Sequence, residues 1–166
     1  MKRQDFLSKL RKEGKLEQVE PSDSICSSYL KKADDCLKSA RILSQNNLYE
    51  NSVSMSYYAM YNSLTALLFK IGIKCENHSG SIMVFRKLFR RQDLHKAISS
   101  AKKERIDKQY YVDLALTEES AQDLLKKAEN FLVEMKLIIR SIKNEEVQML
   151  RGRFRMIIND RKIPRL

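Results

Sequence analysis

The chain has 166 residues, of which 43% are hydrophobic and 32% are charged, and its formal net charge is +11. This length can enclose one hydrophobic core, and the composition is that of a globular protein. Only four glycines and two prolines are available for turns, which predicts a few long elements and an all-α fold. No apolar run reaches the ~18 residues of a membrane-spanning helix, which excludes that class of protein.

The three cysteines, Cys26, Cys36 and Cys75, form neither a CxxC pair nor a metal-binding pattern with the two histidines. An odd number of scattered cysteines favours a reducing compartment. The N-terminus is charged throughout and lacks the apolar segment of a signal peptide. The glycines stand alone rather than in a phosphate-binding loop. We therefore expect a cytoplasmic protein with no metal and no cofactor.

Apolar residues recur every three or four positions along most of the chain, which predicts helices at 4–13, 23–46, 48–71, 80–90 and 93–101. A last long helix is predicted to begin after the capping residue Thr117, because two acidic residues follow in its first turn. The sequence leaves open whether this helix continues through 144–146 into a further apolar stretch at 147–158.

The segment 49–69, YENSVSMSYYAMYNSLTALLF, is nearly free of charge and is apolar on almost all sides. A helix of this kind is buried by several other helices, so the chain is predicted to form an up-and-down antiparallel bundle. We expect three regions: a basic N-terminal helix and linker at 1–20, the bundle at 21–143, and a basic C-terminal helical extension at 144–166.

The positive charge is concentrated at the ends of the chain, and residues 151–166 hold six basic residues and one acidic residue. A basic patch attracts polyanions such as RNA, DNA, nucleotides or an acidic partner protein. Arg151, Arg153 and Arg155 are therefore candidates for phosphate contacts. The alternative is that the charge only keeps the protein in solution.

His78 lies in the segment 72–80, which is bounded by glycines and is predicted to be a loop, with Ser79 or Ser81 capping the next helix. A loop histidine between two helices can act as a general base or bind a phosphate. It can equally be an exposed or helix-capping residue, and the sequence does not decide between these roles.

Arg90 and His95 are separated by four residues. Some RNA-cleaving helical domains use this spacing, with the arginine stabilising the phosphate and the histidine transferring a proton. Because so short a pattern also arises by chance, a solvated basic segment is the alternative interpretation.

The polar and aromatic segment RIDKQYY contains Arg105 and Tyr110 and is predicted to connect two helices. Its aromatic rings could stack on nucleic-acid bases or could fill the gap between helix ends. Tyr58 lies off the main apolar face of the central helix. We expect its hydroxyl to be hydrogen-bonded near His78 or Arg105, or at a dimer interface, because a buried hydroxyl needs a partner.

Taken in order, several motifs resemble those of HEPN-domain proteins, and among them the small stand-alone UPF0332 proteins of prokaryotes. The YYAMF-like core of that family corresponds to Tyr57–Tyr61. The glycine and the histidine that follow it correspond to Gly72 and His78. The arginine-to-tyrosine segment and the A-x-x-F motif correspond to Arg105–Tyr110 and Ala128–Phe131.

The resemblance covers about residues 8–140. It implies a bundle of antiparallel helices that commonly forms a homodimer. Many HEPN domains pair with a minimal nucleotidyltransferase in a toxin–antitoxin or similar module. A subset are metal-independent endoribonucleases with an R-x4–6-H motif, and for members without that motif the resemblance implies nucleotide or RNA binding.

The chain departs from the family pattern before its last long helix, where the R-x4–6-H motif usually lies. Arg105–Tyr110 contains no histidine, and Gln109 replaces an expected aspartate. The spacing from Arg90 to His95 matches the motif, but this pair lies earlier in the chain.

We therefore expect an RNA- or nucleotide-binding module in which Tyr58, His78, Arg105 and Tyr110 line the site. A nucleotidyltransferase-type protein is the expected partner. An endoribonuclease that uses the Arg-x4-His pair, and a structural interaction protein, are the two alternatives.

Overall fold

The computed structural model describes residues 6–110 and 116–159, except for the side chains of 108–110. In chain order, its elements are α1 (Phe6–Lys12), β1 (Leu16–Gln18), α2 (Asp23–Gln45), α3 (Tyr49–Lys70), β2 (Ile73–Cys75), α4 (His78–Phe89), α5 (Gln92–Tyr110), α6 (Glu118–Ser141) and α7 (Asn144–Ile158). The fold is an all-α bundle, as the sequence predicted. None of the described helices combines the length and the apolarity that crossing a membrane requires.

The central helix α3 is enclosed by α2, α5 and α6. Its only charged side chains, Glu50 and Lys70, lie in the first and last turns. Between these turns, Tyr57, Leu64 and Leu67 are fully buried. Because α3 has no polar face to present to water, other helices must cover it on several sides. The predicted burial of this helix is confirmed.

The helix α3 ends at a glycine that no other residue could replace without strain. Gly72 has a φ of +74°, in the left-handed region that disfavours residues with a Cβ atom. A Cβ atom at this position would lie 1.9 Å from Nη1 of Arg151 and 2.5 Å from the carbonyl oxygen of Val19. The glycine that follows α3 is therefore packed directly against Val19, the residue after β1, and against Arg151 of α7.

The segment that follows α3 is not the loop that its glycines predicted. Its residues 73–75 form β2, which pairs antiparallel with β1 in the register Leu16↔Cys75. The next helix, α4, begins at His78 because the side chain of Asn77 accepts a hydrogen bond of 2.8 Å from the amide of Gly80. The expectation of a serine cap at Ser79 or Ser81 was wrong, and His78 lies in the first turn of a helix rather than in a loop.

The helix α5 is about twice as long as the sequence predicted, and Arg105 lies on it rather than in a connection. Leu94, Ile98 and Ala101 provide its buried face. Beyond Ala101 the apolar pattern fades, but Lys, Glu, Arg and Gln are all good helix formers, so the helix continues. The backbone of Tyr110 ends this helix, whereas its predicted role depends on a side chain outside the described residues.

The helix α7 packs on the bundle through side chains of the same hydrophobic core. Val147, Leu150 and Phe154 are buried, and Phe154 is fully so. A break at Ile142 and Lys143 separates α7 from α6, which settles the question that the sequence left open. The predicted extension therefore begins with a core helix, and residues 160–166 lie outside the described part of the chain.

Arg151 is an internal residue of α7 and not an exposed phosphate ligand. Only 9% of its surface is exposed. Its Nη1 atom donates hydrogen bonds to the carbonyl oxygens of Val19 at 2.6 Å, and of Ile71 and Gly72 at 3.2 Å each. The carbonyl oxygen of Gly72 also accepts a hydrogen bond of 2.9 Å from the amide of Val19, so the donor from Arg151 matters most for the carbonyls of Val19 and Ile71. The expectation that Arg151 contacts phosphate is corrected, because its guanidinium is buried and bonded to backbone carbonyls.

Candidate functional site

The imidazole of His78 is held by two tyrosines of α3. Its ring stacks on that of Tyr61, with centroids 3.7 Å apart and an interplanar angle of 9°. The hydroxyl oxygen of Tyr57 lies 2.6 Å from His78 Nδ1. Tyr57 and Tyr61 are four residues apart and therefore lie on one face of the helix. The two contacts fix both the plane and the rotation of the imidazole ring.

The hydrogen bond between Tyr57 and His78 has a defined direction. Burial raises the pKa of the Tyr57 hydroxyl well above its ordinary value, so this group keeps its proton. Burial also lowers the pKa of His78, and the nearby charges of Arg105 and Lys102 lower it further. We therefore assign Tyr57 as the donor to Nδ1, which leaves the neutral imidazole with its hydrogen on Nε2.

The guanidinium group of Arg105 lies over two tyrosine rings. Its central carbon is 5.5 Å from the ring centroid of Tyr57 and 4.9 Å from that of Tyr58. Both distances are within the range of cation–π interactions. Tyr58 also meets His78 edge-on, with centroids 6.3 Å apart. We call Tyr57, Tyr58, Tyr61, His78 and Arg105 the aromatic–cationic cluster.

Tyr58 has the neighbours that the sequence predicted, but another tyrosine makes the hydrogen bond. Its ring contacts both His78 and Arg105. Among the side chains that the structure describes, the hydroxyl bonded to His78 is that of Tyr57. The central helix is therefore joined to the candidate site through the residue on its buried face. Tyr58 is half-buried and lies at the surface of the cluster.

A groove of about 390 Å³ lies beside the cluster, between α4 and α5. Apolar side chains and basic or polar side chains both line it: Ser79, Ile82, Met83, Arg86, His95, Ser99, Lys102, Lys103, Ile106 and Asp107. The groove and the cluster meet at Lys102, whose amino group donates a hydrogen bond to Ser79 Oγ. Since Ser79 directly follows His78, one ligand could contact both places.

Of the predicted Arg-x4-His pair, His95 is the member that lines the groove. Its Nε2 atom is 3.4 Å from Ser99 Oγ. Burial and the charge of Arg86 lower its pKa. Arg90 is exposed at the end of α4 with a φ of 53°, and it is not among the described residues that line the groove. The arginine close to His95 is therefore Arg86, one helical turn before Arg90.

The other predicted phosphate ligands lie on α7. Arg153 is half-buried and Arg155 is exposed. No contact within the described residues joins either of them to the aromatic–cationic cluster. The described part of the chain also contains no group of three or more His, Cys, Asp or Glu side chains that could hold a metal ion.

Sequence reasoning identified three members of the cluster, Tyr58, His78 and Arg105, but missed the two that hold the histidine. Tyr57 and Tyr61 belong to the apolar segment 49–69 that the sequence predicts to be buried, and Tyr57 is fully buried. A signal was present, since two tyrosines four residues apart place two hydroxyls on one face of an otherwise apolar helix. Lys102 and Arg86 gave no signal, because they are ordinary members of a charged helical pattern.

Comparison with known proteins gives the family. The model of the HEPN domain matches residues 26–138, which is more than half of the chain and includes the whole aromatic–cationic cluster. This chain belongs to the HEPN family. A UPF0332 protein of Thermotoga maritima is 27% identical over 126 residues, which cover 73% of this chain and 96% of that relative. The resemblance to HEPN and UPF0332 proteins is confirmed.

Two similar proteins come from Methanocaldococcus jannaschii. The one named "Putative toxin MJ0605" is 30% identical over 115 residues, covering 66% of this HEPN chain and 85% of that relative. A second protein with the same kind of name, numbered MJ0142, is 30% identical over 112 residues, covering 64% of this chain and 76% of the relative. This HEPN protein therefore has relatives whose names describe them as toxins.

Proposed function

We propose that this HEPN protein binds RNA or a nucleotide at the aromatic–cationic cluster. The observation that carries the proposal is the fixed, neutral imidazole of His78 beside the guanidinium of Arg105. Such a site offers a hydrogen-bond donor and a positive charge for a phosphate, and an aromatic ring at the surface for a base. The net charge of +11 supports the same class of ligand through long-range attraction.

The direct test is the binding of a fluorescently labelled single-stranded RNA, measured by anisotropy at low and at physiological salt. We expect binding that weakens with salt. Replacing Arg105 by Gln should lower the affinity about tenfold or more, since a hydrogen bond to a charged group contributes about 1.5–3 kcal/mol. Arg140→Gln is the matched control, because it removes an exposed arginine near the end of α6, outside the cluster and the groove. Equal affinities for the two variants would exclude the cluster as the site.

We further propose that the protein is one half of a toxin–antitoxin-type module, acts as a homodimer and has a minimal nucleotidyltransferase as its partner. The names of the two Methanocaldococcus relatives support a toxin-like role. Co-expression with the product of a neighbouring nucleotidyltransferase gene tests the partnership. We expect the two proteins to co-purify and the partner to relieve growth inhibition by this chain. Growth inhibition that the partner leaves unchanged would contradict the proposed pairing.

A second candidate function is metal-independent cleavage of RNA at the groove. It is favoured by the position of His95, which lines the groove together with Ser99, 3.4 Å from its Nε2, and with Arg86, whose charge lowers its pKa. A histidine can transfer a proton while an arginine stabilises the phosphate. RNA cleavage in the presence of EDTA should then be lost in His95→Ala and in Arg86→Ala, but retained in Arg90→Ala. Cleavage that persists in His95→Ala would exclude this mechanism.

A further inference from the structure

Two basic side chains of α5 lie beside His78. Arg105 and Lys102 lie close enough to lower the pKa of the imidazole. Neither of them forms an ion pair with any of the carboxylates that the structure describes. Cations that lack an ion-pair partner at a half-buried position attract an anion.

The remaining ring nitrogen of His78 is available to that anion as a donor. Nδ1 is occupied by the Tyr57 hydroxyl, and stacking on Tyr61 fixes the ring plane. The hydrogen on Nε2 makes no hydrogen bond with any described side chain. An incoming oxyanion would therefore meet one neutral donor and two positive charges.

The acidic residues closest in sequence to His78 and Arg105 are Glu76, Glu104 and Asp107. Glu76 forms an ion pair of 2.9 Å with Lys74. Asp107 lines the groove and lies near the end of α5. The groups that α3 presents to His78 are the tyrosines of the cluster, which are uncharged. The charged groups that shift the pKa of His78 are both cations, Arg105 and Lys102.

We propose that the aromatic–cationic cluster, together with Lys102, recognises a phosphate monoester in preference to a phosphodiester. A monoester carries a charge of about −1.5 to −2 near neutral pH, which matches two cations, whereas a diester carries a single negative charge. The chemical class is the terminal phosphate of a free nucleotide or of an RNA end. This inference rests on the proposed function, because it specifies which type of phosphate group the same site binds.

Two pairs of probes test the preference by isothermal titration calorimetry with the whole protein at low salt. The first pair is AMP and the dinucleoside monophosphate ApA, and the second is one short RNA with a 5′-phosphate or a 5′-hydroxyl. We expect the monoester in at least one pair to bind about tenfold or more tightly than its diester or hydroxyl counterpart. A preference within the first pair identifies free nucleotides as ligands, and one within the second pair alone identifies RNA ends.

Equal affinities within both pairs would overturn the inference while leaving the proposed function intact, because the site would then bind internal phosphates. If neither these probes nor longer RNA binds, both the inferred monoester preference and the proposed binding of RNA or nucleotides are wrong. The monoester preference should fall toward equality in Lys102→Gln and in Arg105→Gln. It should be unchanged in Arg140→Gln, which removes a positive charge outside the site. A preference that survives both Lys102→Gln and Arg105→Gln would contradict the assignment of these two cations.

Discussion

Arg105 and Arg151 show how differently two arginines of one helical protein can be used. Arg151 is 9% exposed, and its guanidinium donates to three backbone carbonyls at the end of α3 and after β1. Arg105 is half-buried over two tyrosine rings and has no ion pair among the described carboxylates. The first arginine satisfies the protein's own polar groups, whereas the second retains capacity for a ligand. The contrast teaches that available hydrogen-bond partners, rather than charge, distinguish a structural arginine from a binding one.

The surroundings of these two arginines also differ in whether they belong to the part of the chain that matches the HEPN domain. The aromatic–cationic cluster lies within residues 26–138, which match the HEPN domain, whereas α7 follows that match. Arg151 reaches from α7 to backbone groups within and before it, at Gly72 and Val19. The helix outside the matched region therefore contributes to the stability of the bundle, and the matched region contains the candidate site.

Substituting the two arginines should differ most in its effect on the stability of the protein. Arg151→Met should lower the free energy of unfolding by about 3 kcal/mol, because it removes three hydrogen bonds and leaves the carbonyls of Val19 and Ile71 without this donor. Arg105→Gln should lower it by no more than about 1 kcal/mol, the range of an exposed cation–π contact. Urea unfolding followed by circular dichroism measures both values. Similar losses in the two variants would contradict the division of roles.

A second, smaller loss of stability is expected at the glycine that Arg151 contacts. Gly72→Ala should cost about 2 kcal/mol or more, since the new Cβ atom adds a clash with Arg151 and Val19 to the cost of about 1 kcal/mol for a positive φ. Gly14→Ala is the matched control. Gly14 has a φ of +70°, but nothing lies within 4 Å of the position of its Cβ atom.

The two glycine variants are compared by thermal unfolding. We expect Gly72→Ala to lower the melting temperature by clearly more than Gly14→Ala. The same shift in both would mean that backbone conformation alone sets the cost and that the close packing at the end of α3 contributes little.

At the cluster, Tyr57→Phe removes one hydrogen bond and leaves the ring in place. The expected loss of stability is about 1 kcal/mol. The ligand affinity should fall as well, because His78 is then free to carry its hydrogen on either nitrogen. Tyr49→Phe, which removes an exposed hydroxyl bond to Asn47 at 2.8 Å, is the control. NMR shifts of the His78 ring nitrogens should show the change of tautomer only in Tyr57→Phe.

The smallest expected effect is on the protonation of His78. Its pKa lies below the ordinary value, so the folded state favours the neutral form, and stability decreases as the pH falls from the unfolded pKa of about 6.5 toward the folded value. Arg105→Gln removes one of the causes and should raise the pKa of His78. An NMR titration measures this shift. An unchanged pKa would show that the charge of Arg105 does not affect the protonation of the imidazole.

The sequence predicted the fold more completely than the site, for physical reasons. The buried α3 and the Thr117 cap followed from local periodicity and capping chemistry, and both are confirmed. The strand β2 was missed because a three-residue strand exists only through its pairing with β1, a long-range contact. The end of α5 was missed because its last turns have high helix propensity but little apolar pattern.

Within the site, residue types were easier to predict than contacts. The histidine and the arginine drew attention because their chemistry is unusual in their surroundings. The hydrogen bond from Tyr57 could not be predicted, because it depends on where α4 begins, and the cap that decides this is Asn77 rather than a serine. The proximity of His95 to Arg86 could not be predicted either, because it joins two different helices, α4 and α5.

The most direct test of the central claim is the affinity of one single-stranded RNA for the wild-type protein and for Arg105→Gln, Arg151→Met and Arg140→Gln. Anisotropy should be measured on the folded fraction of each. The account predicts a loss of about tenfold or more for Arg105→Gln and near wild-type affinity for the other two. If Arg151→Met loses as much affinity as Arg105→Gln while folded, or if Arg105→Gln loses none, the assignment of the binding site to the aromatic–cationic cluster is wrong.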